Sequence, residues 1–169
     1  MKIAVLNGSP RMQNTSALID AFCSGAESQG HTVAVFHVGR MKIGGCLGCE
    51  YCHGAGEGAC VQKDDFDKIL PAYKECDMIV FASPLYYLGI TSKLQAAIER
   101  IYCIGKPVKA TKAALLLTSA AGAYDGPIAK YKNYLSFAGL EDAGILTATG
   151  DENKSEAKMA EAKAFGASL

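Results

Sequence analysis

KIAVLNGSPRMQNTS, residues 2–16, decides the fold. A run of β-branched and aliphatic residues ends at Asn7, a Gly-Ser-Pro turn follows, and helix-forming sequence begins near Thr15. Apolar runs bounded by polar residues or glycine read as strands buried on both faces. Four more such runs follow: TVAVFHV (32–38), DMIVFAS (77–83), AALLLTSA (113–120) and AGILTAT (143–149). Helix-length segments separate them. Residues 15–30 carry Leu18, Ile19 and Phe22 on one stripe and stop at Gly30. Residues 64–76 begin with acids suited to a helix start, and Pro71 should bend or divide them. Residues 92–103 place Leu94, Ile98 and Ile101 on one face. Residues 127–139 start with proline and end at Gly139. An Ala/Lys/Glu-rich helix closes the chain. Five strands alternating with helices predict an α/β protein, a three-layer sandwich whose parallel sheet runs 2-1-3-4-5. The 169 residues suit one domain, 1–169, in which 39–63 is a long cysteine-rich loop.

Ligands of such sheets bind beyond the carboxyl ends of the strands. The turn after the first strand offers hydroxyls at Ser9, Thr15 and Ser16, a cation at Arg11 and free N–H groups at the helix start. Together these make an anion pocket. The G-K-[ST] ending of a nucleotide-binding P-loop is absent, as is G-x-G-x-x-G. The plain alternative is a strand–helix turn capped by Asn14 or Thr15. Ser83-Pro84-Leu85-Tyr86-Tyr87-Leu88-Gly89 follows the third strand and forms a flat, semi-rigid wall suited to a planar ring. The alternative is tyrosines packed on a neighbour or at a subunit contact. The fourth turn, 118–124, is small and admits a ligand close to the backbone.

Together, GSPR-x-x-NTS and SPLYYLGITSKLQAAIER resemble the two signatures of the NADPH-dependent FMN reductase family of flavodoxin-like proteins. The resemblance implies non-covalent FMN, with Ser9, Arg11, Asn14, Thr15 and Ser16 on the phosphate. Pro84, Leu85, Tyr86 and Tyr87 would flank the isoalloxazine, with Ser119 and Gly122 nearby. It also implies NAD(P)H as donor, a flavin, quinone or other small acceptor, and a homodimer or homotetramer. Chemistry at the flavin leaves the catalytic side chains unassigned. Flavodoxin-like electron carriers reduced by a protein such as ferredoxin are the competing class.

Four of the seven cysteines stand in CLGCEYCHGAGEGAC as C-x2-C-x2-C-x7-C. Cys46, Cys49, Cys52 and Cys60 resemble the ligand set of iron–sulfur flavoproteins, which hold a four-iron cluster. A metal-free thiol loop and a structural zinc compete with that reading. Cys23, Cys76 and Cys103 fall on helical stretches or their ends and read as packing residues. His31 and His37 read as structural; His53 lies inside the cysteine loop.

Seventeen basic and seventeen acidic residues balance, so no charge excess points to nucleic acid or an anionic membrane. The apolar run after Met1-Lys2 is too short for a secretion signal or a membrane span. With an odd cysteine count, this predicts a cytoplasmic protein with reduced thiols.

Overall fold

The computed structural model describes residues 1–169. Strands β1 (Lys2–Asn7), β2 (Thr32–Phe36), β3 (Met78–Tyr86), β5 (Lys112–Ser119) and β6 (Glu141–Thr149) pair in parallel in the order β2-β1-β3-β5-β6. Counting these five along the chain, this is the expected 2-1-3-4-5 order. The difference is a sixth strand, β4 (Gly89–Ile90), antiparallel to the end of β3. The chain reverses at Tyr87 and Leu88, both left-handed with φ of 51° and 68°. A two-residue hairpin turn of type I′ takes positive φ at both positions, and glycine or asparagine usually fills them. Two bulky residues there give no sequence signal for a hairpin.

The sheet is buried on both faces because its strands alternate between two apolar layers. Ile3, Val5, Met78 and Val80 face α1 (Asn14–Ser28) and α5 (Glu156–Ala167). Ala4, Leu6, Ile79 and Phe81 face α2 (Leu70–Glu75), α3 (Ser92–Arg100) and α4 (Asp125–Ala138). Phe22 of α1 meets Phe165 of α5 edge to face at 5.4 Å.

Pro71 divides its segment. A 3-10 turn, Asp65–Lys68, precedes α2, and Pro71 sits in the first turn of α2, where its missing N–H costs little. Gly139 ends α4 in the left-handed conformation. The last helix starts later than its composition suggests: Gly150–Lys154 forms a 3-10 turn, and Ser155 then caps α5 through the Lys158 N–H. No helix is long and apolar enough to cross a membrane.

Candidate functional site

Asn7, fully buried, organises the turn after β1. Its Oδ1 accepts the Ser9 N–H at 2.9 Å, and its amide contacts Ser16 Oγ at 3.3 Å and His37 Nδ1 at 3.2 Å. Ser9 Oγ donates to the Arg11 carbonyl and accepts the Arg11 N–H, which curls the loop. From the other side, Gly8 donates to the Ala82 carbonyl at 2.7 Å, and Thr91 Oγ1 donates to the Gly8 carbonyl at 2.8 Å. Gly39 backs onto Ser9 so closely that any Cβ there would strike the Ser9 backbone. The loop is therefore held in shape by protein alone.

What protein does not complete is the helix start. Gln13, and neither Asn14 nor Thr15, occupies the N-cap of α1; no side chain caps it and no acid stands in its first turn. The first N–H groups of a helix have no partner within it, and they carry its positive dipole end. Here they open into a cleft of about 340 Å³ at the carboxyl ends of β1, β3 and β5.

Ser9, Arg11, Asn14 and Thr15 line the cleft from the first turn, Pro84, Leu85 and Tyr86 from β3, and Ser119 from β5. The Arg11 guanidinium lies 5.9 Å from the centre of the Tyr86 ring. Three expected residues stand elsewhere. The Ser16 hydroxyl points inward to Asn7 and Met12. Tyr87 is fully exposed on the hairpin turn. Gly122 lies outside the lining and donates its N–H to Ser119 Oγ at 3.1 Å. Gln13, Thr118, Ala120, Gly150 and Asn153 line the cleft without having been expected there. Asn153 is 5% exposed and donates to the carbonyls of Ser119 and Gly150, while its buried Oδ1 has no partner.

The cysteine loop has almost no regular structure beyond a 3-10 turn at Tyr51–His53. Side chains fasten it at its base. Asp64 accepts the Gly44 N–H at 3.0 Å and Arg100 Nη1 at 2.7 Å, and caps the Phe66 N–H. Burial pushes the Asp64 carboxyl up, but Arg100 and the two N–H groups outweigh it and hold it below the usual range. Gln62 Nε2 donates to the Gly45 carbonyl, and Tyr102 OH donates to Glu50 at 2.9 Å. His53 meets Tyr102 edge to face at 4.6 Å.

Cys46, Cys49, Cys52 and Cys60 all line one small cavity. Burial, then the neighbouring Cys60, Glu50 and Cys46, hold the Cys52 thiol above its ordinary range. No three His, Cys, Asp or Glu side chains are gathered tightly enough to grip a single ion. Cys103 is buried, as a packing residue should be, yet it lines this cavity too. Its place in the 3-10 turn Ile101–Ile104 after α3 hid that role. Cys23 and Cys76 lie in the apolar layers, where burial pushes their thiols up to about 12 and about 11. His31 joins the Met1 amino group to the Leu169 carbonyl, a structural position.

Residues 1–146 match the family described as NADPH-dependent FMN reductase. An iron-sulfur flavoprotein of Archaeoglobus fulgidus is 38% identical over 106 residues, which are 62% of this chain and 47% of that protein. An FMN-dependent NADH:quinone oxidoreductase of Alteromonas mediterranea is 32% identical over 99 residues, half of each chain. The chain thus spans about half the length of the curated relatives it matches. Among solved structures, an NAD(P)H:quinone oxidoreductase from Methanothermobacter marburgensis superimposes with a TM-score of 0.75 at 18% identity, covering 100% of this chain and 96% of the other. At that identity the likeness speaks for the fold.

Proposed function

We propose, for a chain that belongs to the NADPH-dependent FMN reductase family, an FMN-dependent oxidoreductase that moves hydride or electrons from NAD(P)H to a small acceptor such as a flavin or quinone. The observation that carries this reading is the cleft whose floor is an uncapped helix start beside Arg11. Its residues fit FMN. Ser9, Arg11, Asn14 and Thr15 would hold the phosphate, and Ser16 would offer its N–H, its hydroxyl being engaged. Pro84, Leu85 and Tyr86 would border the ring, with Ser119 and Asn153 facing the polar chain between ring and phosphate. Tyr87 and Gly122 would shape the rim. When bound, FMN supplies a ring that takes up hydride or electrons and passes them on.

The protein's own work is positioning. Arg11 balances phosphate charge, the clamp of Thr91 on Gly8 keeps the donors aimed, and Tyr86 walls off water. Tyr86 also borders a second hollow of about 460 Å³ with Gln95, Pro127 and Lys130. That hollow would seat the nicotinamide or the acceptor beside the ring.

A second reading, an iron–sulfur flavoprotein-like electron carrier fed by a partner such as ferredoxin, is favoured by the four thiols on one cavity. Four thiolates are the donor set of a four-iron cluster, which supplies a one-electron centre when bound. Cys46, Cys49, Cys52 and Cys60 would hold it. The open space among them is about 20 Å³, so the exposed arm carrying Cys46 and Cys49 would move outward to admit it. Exposed Tyr87 and Leu88, near an apolar groove lined by Ile90, Leu94 and Phe137, support a homodimer or homotetramer.

The test is anaerobic. The protein is loaded with FMN, assayed for iron and sulfide, and offered NADH, NADPH or reduced ferredoxin while the flavin absorbance is followed. Bleaching by a nicotinamide supports the first reading. Bleaching by ferredoxin alone, with iron present, supports the second. Failure to bind FMN would sink both.

A further inference from the structure

Asn7 holds the first turn through both ends of its amide, and its partners fix which end is which. The Ser9 N–H can only donate, so the atom it meets at 2.9 Å is Asn7 Oδ1. The amide nitrogen Nδ2 therefore faces Ser16 Oγ at 3.3 Å and His37 Nδ1 at 3.2 Å. That nitrogen, too, can only donate. His37 Nδ1 is then the acceptor, which leaves the ring with one proton, on Nε2, and no charge.

His37 has little freedom to give way. It stands between β2 and a 3-10 turn, Val38–Arg40, whose Val38 and Gly39 are buried. The Arg40 N–H bonds back to the His37 carbonyl at 2.9 Å. Gly39, two residues on, backs onto Ser9. One short segment thus supports Ser9 twice, by the Gly39 backbone and, through Asn7, by the His37 ring. No carboxylate lies within ion-pair distance of that ring. In the elements packed around it, the charged side chains at this end of the sheet are Arg11 of the loop, Asp20 of α1, Arg40 of its own turn and Lys93 of α3, all exposed. His37 itself does not line the cleft, so its charge would reach a ligand only through the loop.

Support that needs an uncharged ring is withdrawn by a proton. We propose, on the reading of the cleft as an FMN site, that His37 is a positioning residue which couples FMN affinity to pH. Imidazole is the side chain that ordinarily changes charge between about pH 5 and 8. A proton on Nδ1 sets N–H against N–H and breaks the bond to Asn7. If the Asn7 amide turns over to offer Oδ1 to the imidazolium, Nδ2 then confronts the Ser9 N–H, and that bond is lost instead. Either way the turn carrying Ser9 and Arg11 loses a buried bond and leaves a donor unpaired. The organised turn binds fewer protons than the loosened one. FMN affinity is therefore greatest while His37 is neutral and falls as pH drops through its titration.

The experiment measures FMN dissociation constants by flavin fluorescence at about pH 8 and about pH 5. It compares wild type with His37→Asn, whose side-chain oxygen stands near the place of Nδ1 and takes up no proton. The FMN phosphate titrates in the same range in both proteins, so the difference between them isolates His37. From the upper pH to the lower, wild type should lose about tenfold more affinity than the variant. Equal losses overturn the inference and leave the FMN reading standing. Wild type that binds no FMN at either pH overturns both. A second readout needs neither flavin nor variant, and it decides if His37→Asn fails to fold. In ¹⁵N-labelled wild type, the Ser9 amide and the His37 ring should titrate with one midpoint. A ring that takes up no proton over this range, or a Ser9 amide that stays still while the ring titrates, overturns the inference.

Discussion

The cleft at the start of α1 and the cavity at the end of α3 keep their polar groups in place by different means. In the cleft, sheet order does most of the work. Parallel strands bring three turns to one edge, backbone bonds from Gly8 and Thr91 lock the first turn, and the ligand is left to finish a helix. The cysteine cavity lies in a long loop with little regular structure. A buried ion pair, Asp64 with Arg100, fastens both of its arms to α3. A site set by topology tolerates changes in its side chains. A site set by a brace depends on the brace.

That contrast predicts separable damage. The largest effect should come from Asp64→Ala, which strands a buried guanidinium beside its unpaired Nε. Removing one partner of such a pair costs about 3 kcal/mol, readable from urea unfolding. Thiol labelling of Cys46 and Cys60 should accelerate while FMN affinity stays within about threefold. If FMN affinity collapses as well, the two sites are one cooperative unit and the contrast fails. Next is Gly39→Ala, whose new Cβ must displace the Ser9 backbone. FMN affinity should fall about thirtyfold, or about 2 kcal/mol, with thiol labelling of Cys46 and Cys60 unchanged. Arg11→Gln removes one charge from the cleft and should weaken FMN about tenfold. That loss should shrink as salt rises, since the cleft is open and screened.

The smallest effect is one of pH. The Asp64 carboxyl is held below its ordinary value in the folded protein. The stability it contributes is therefore complete above the unfolded-state pKa and is lost as pH falls through the folded one. Wild type should lose melting temperature below about pH 4 more steeply than Asp64→Asn. Parallel curves would mean that the brace holds by shape and not by charge.

The sheet was readable because strands buried on both faces leave unbroken apolar runs, and most cleft residues followed because strand order fixes which turns meet. The failures are local. Ser16 stands one residue after Thr15, but a helix turns about 100° per residue, so its hydroxyl swings inward to Asn7. The β3–β4 hairpin turns on a tyrosine and a leucine in strained backbone, and no turn signal marks it. Asn153 reaches the cleft because β6 ends beside β5, a contact across 34 residues that no short window records. Arg100 reads as one more charge on an amphipathic helix until Asp64, 36 residues earlier, is folded against it.

The bare start of α1 ties the chain's survival to its ligand. Without an anion the first helical turn should fray, exchanging its amide hydrogens quickly and offering the 9–14 backbone to proteases. With FMN at a hundred times its dissociation constant, binding adds about 2.7 kcal/mol to the folded state. In a flavin-starved cell the protein should therefore be degraded faster than it is made inactive, so that vitamin supply sets its abundance before it limits turnover.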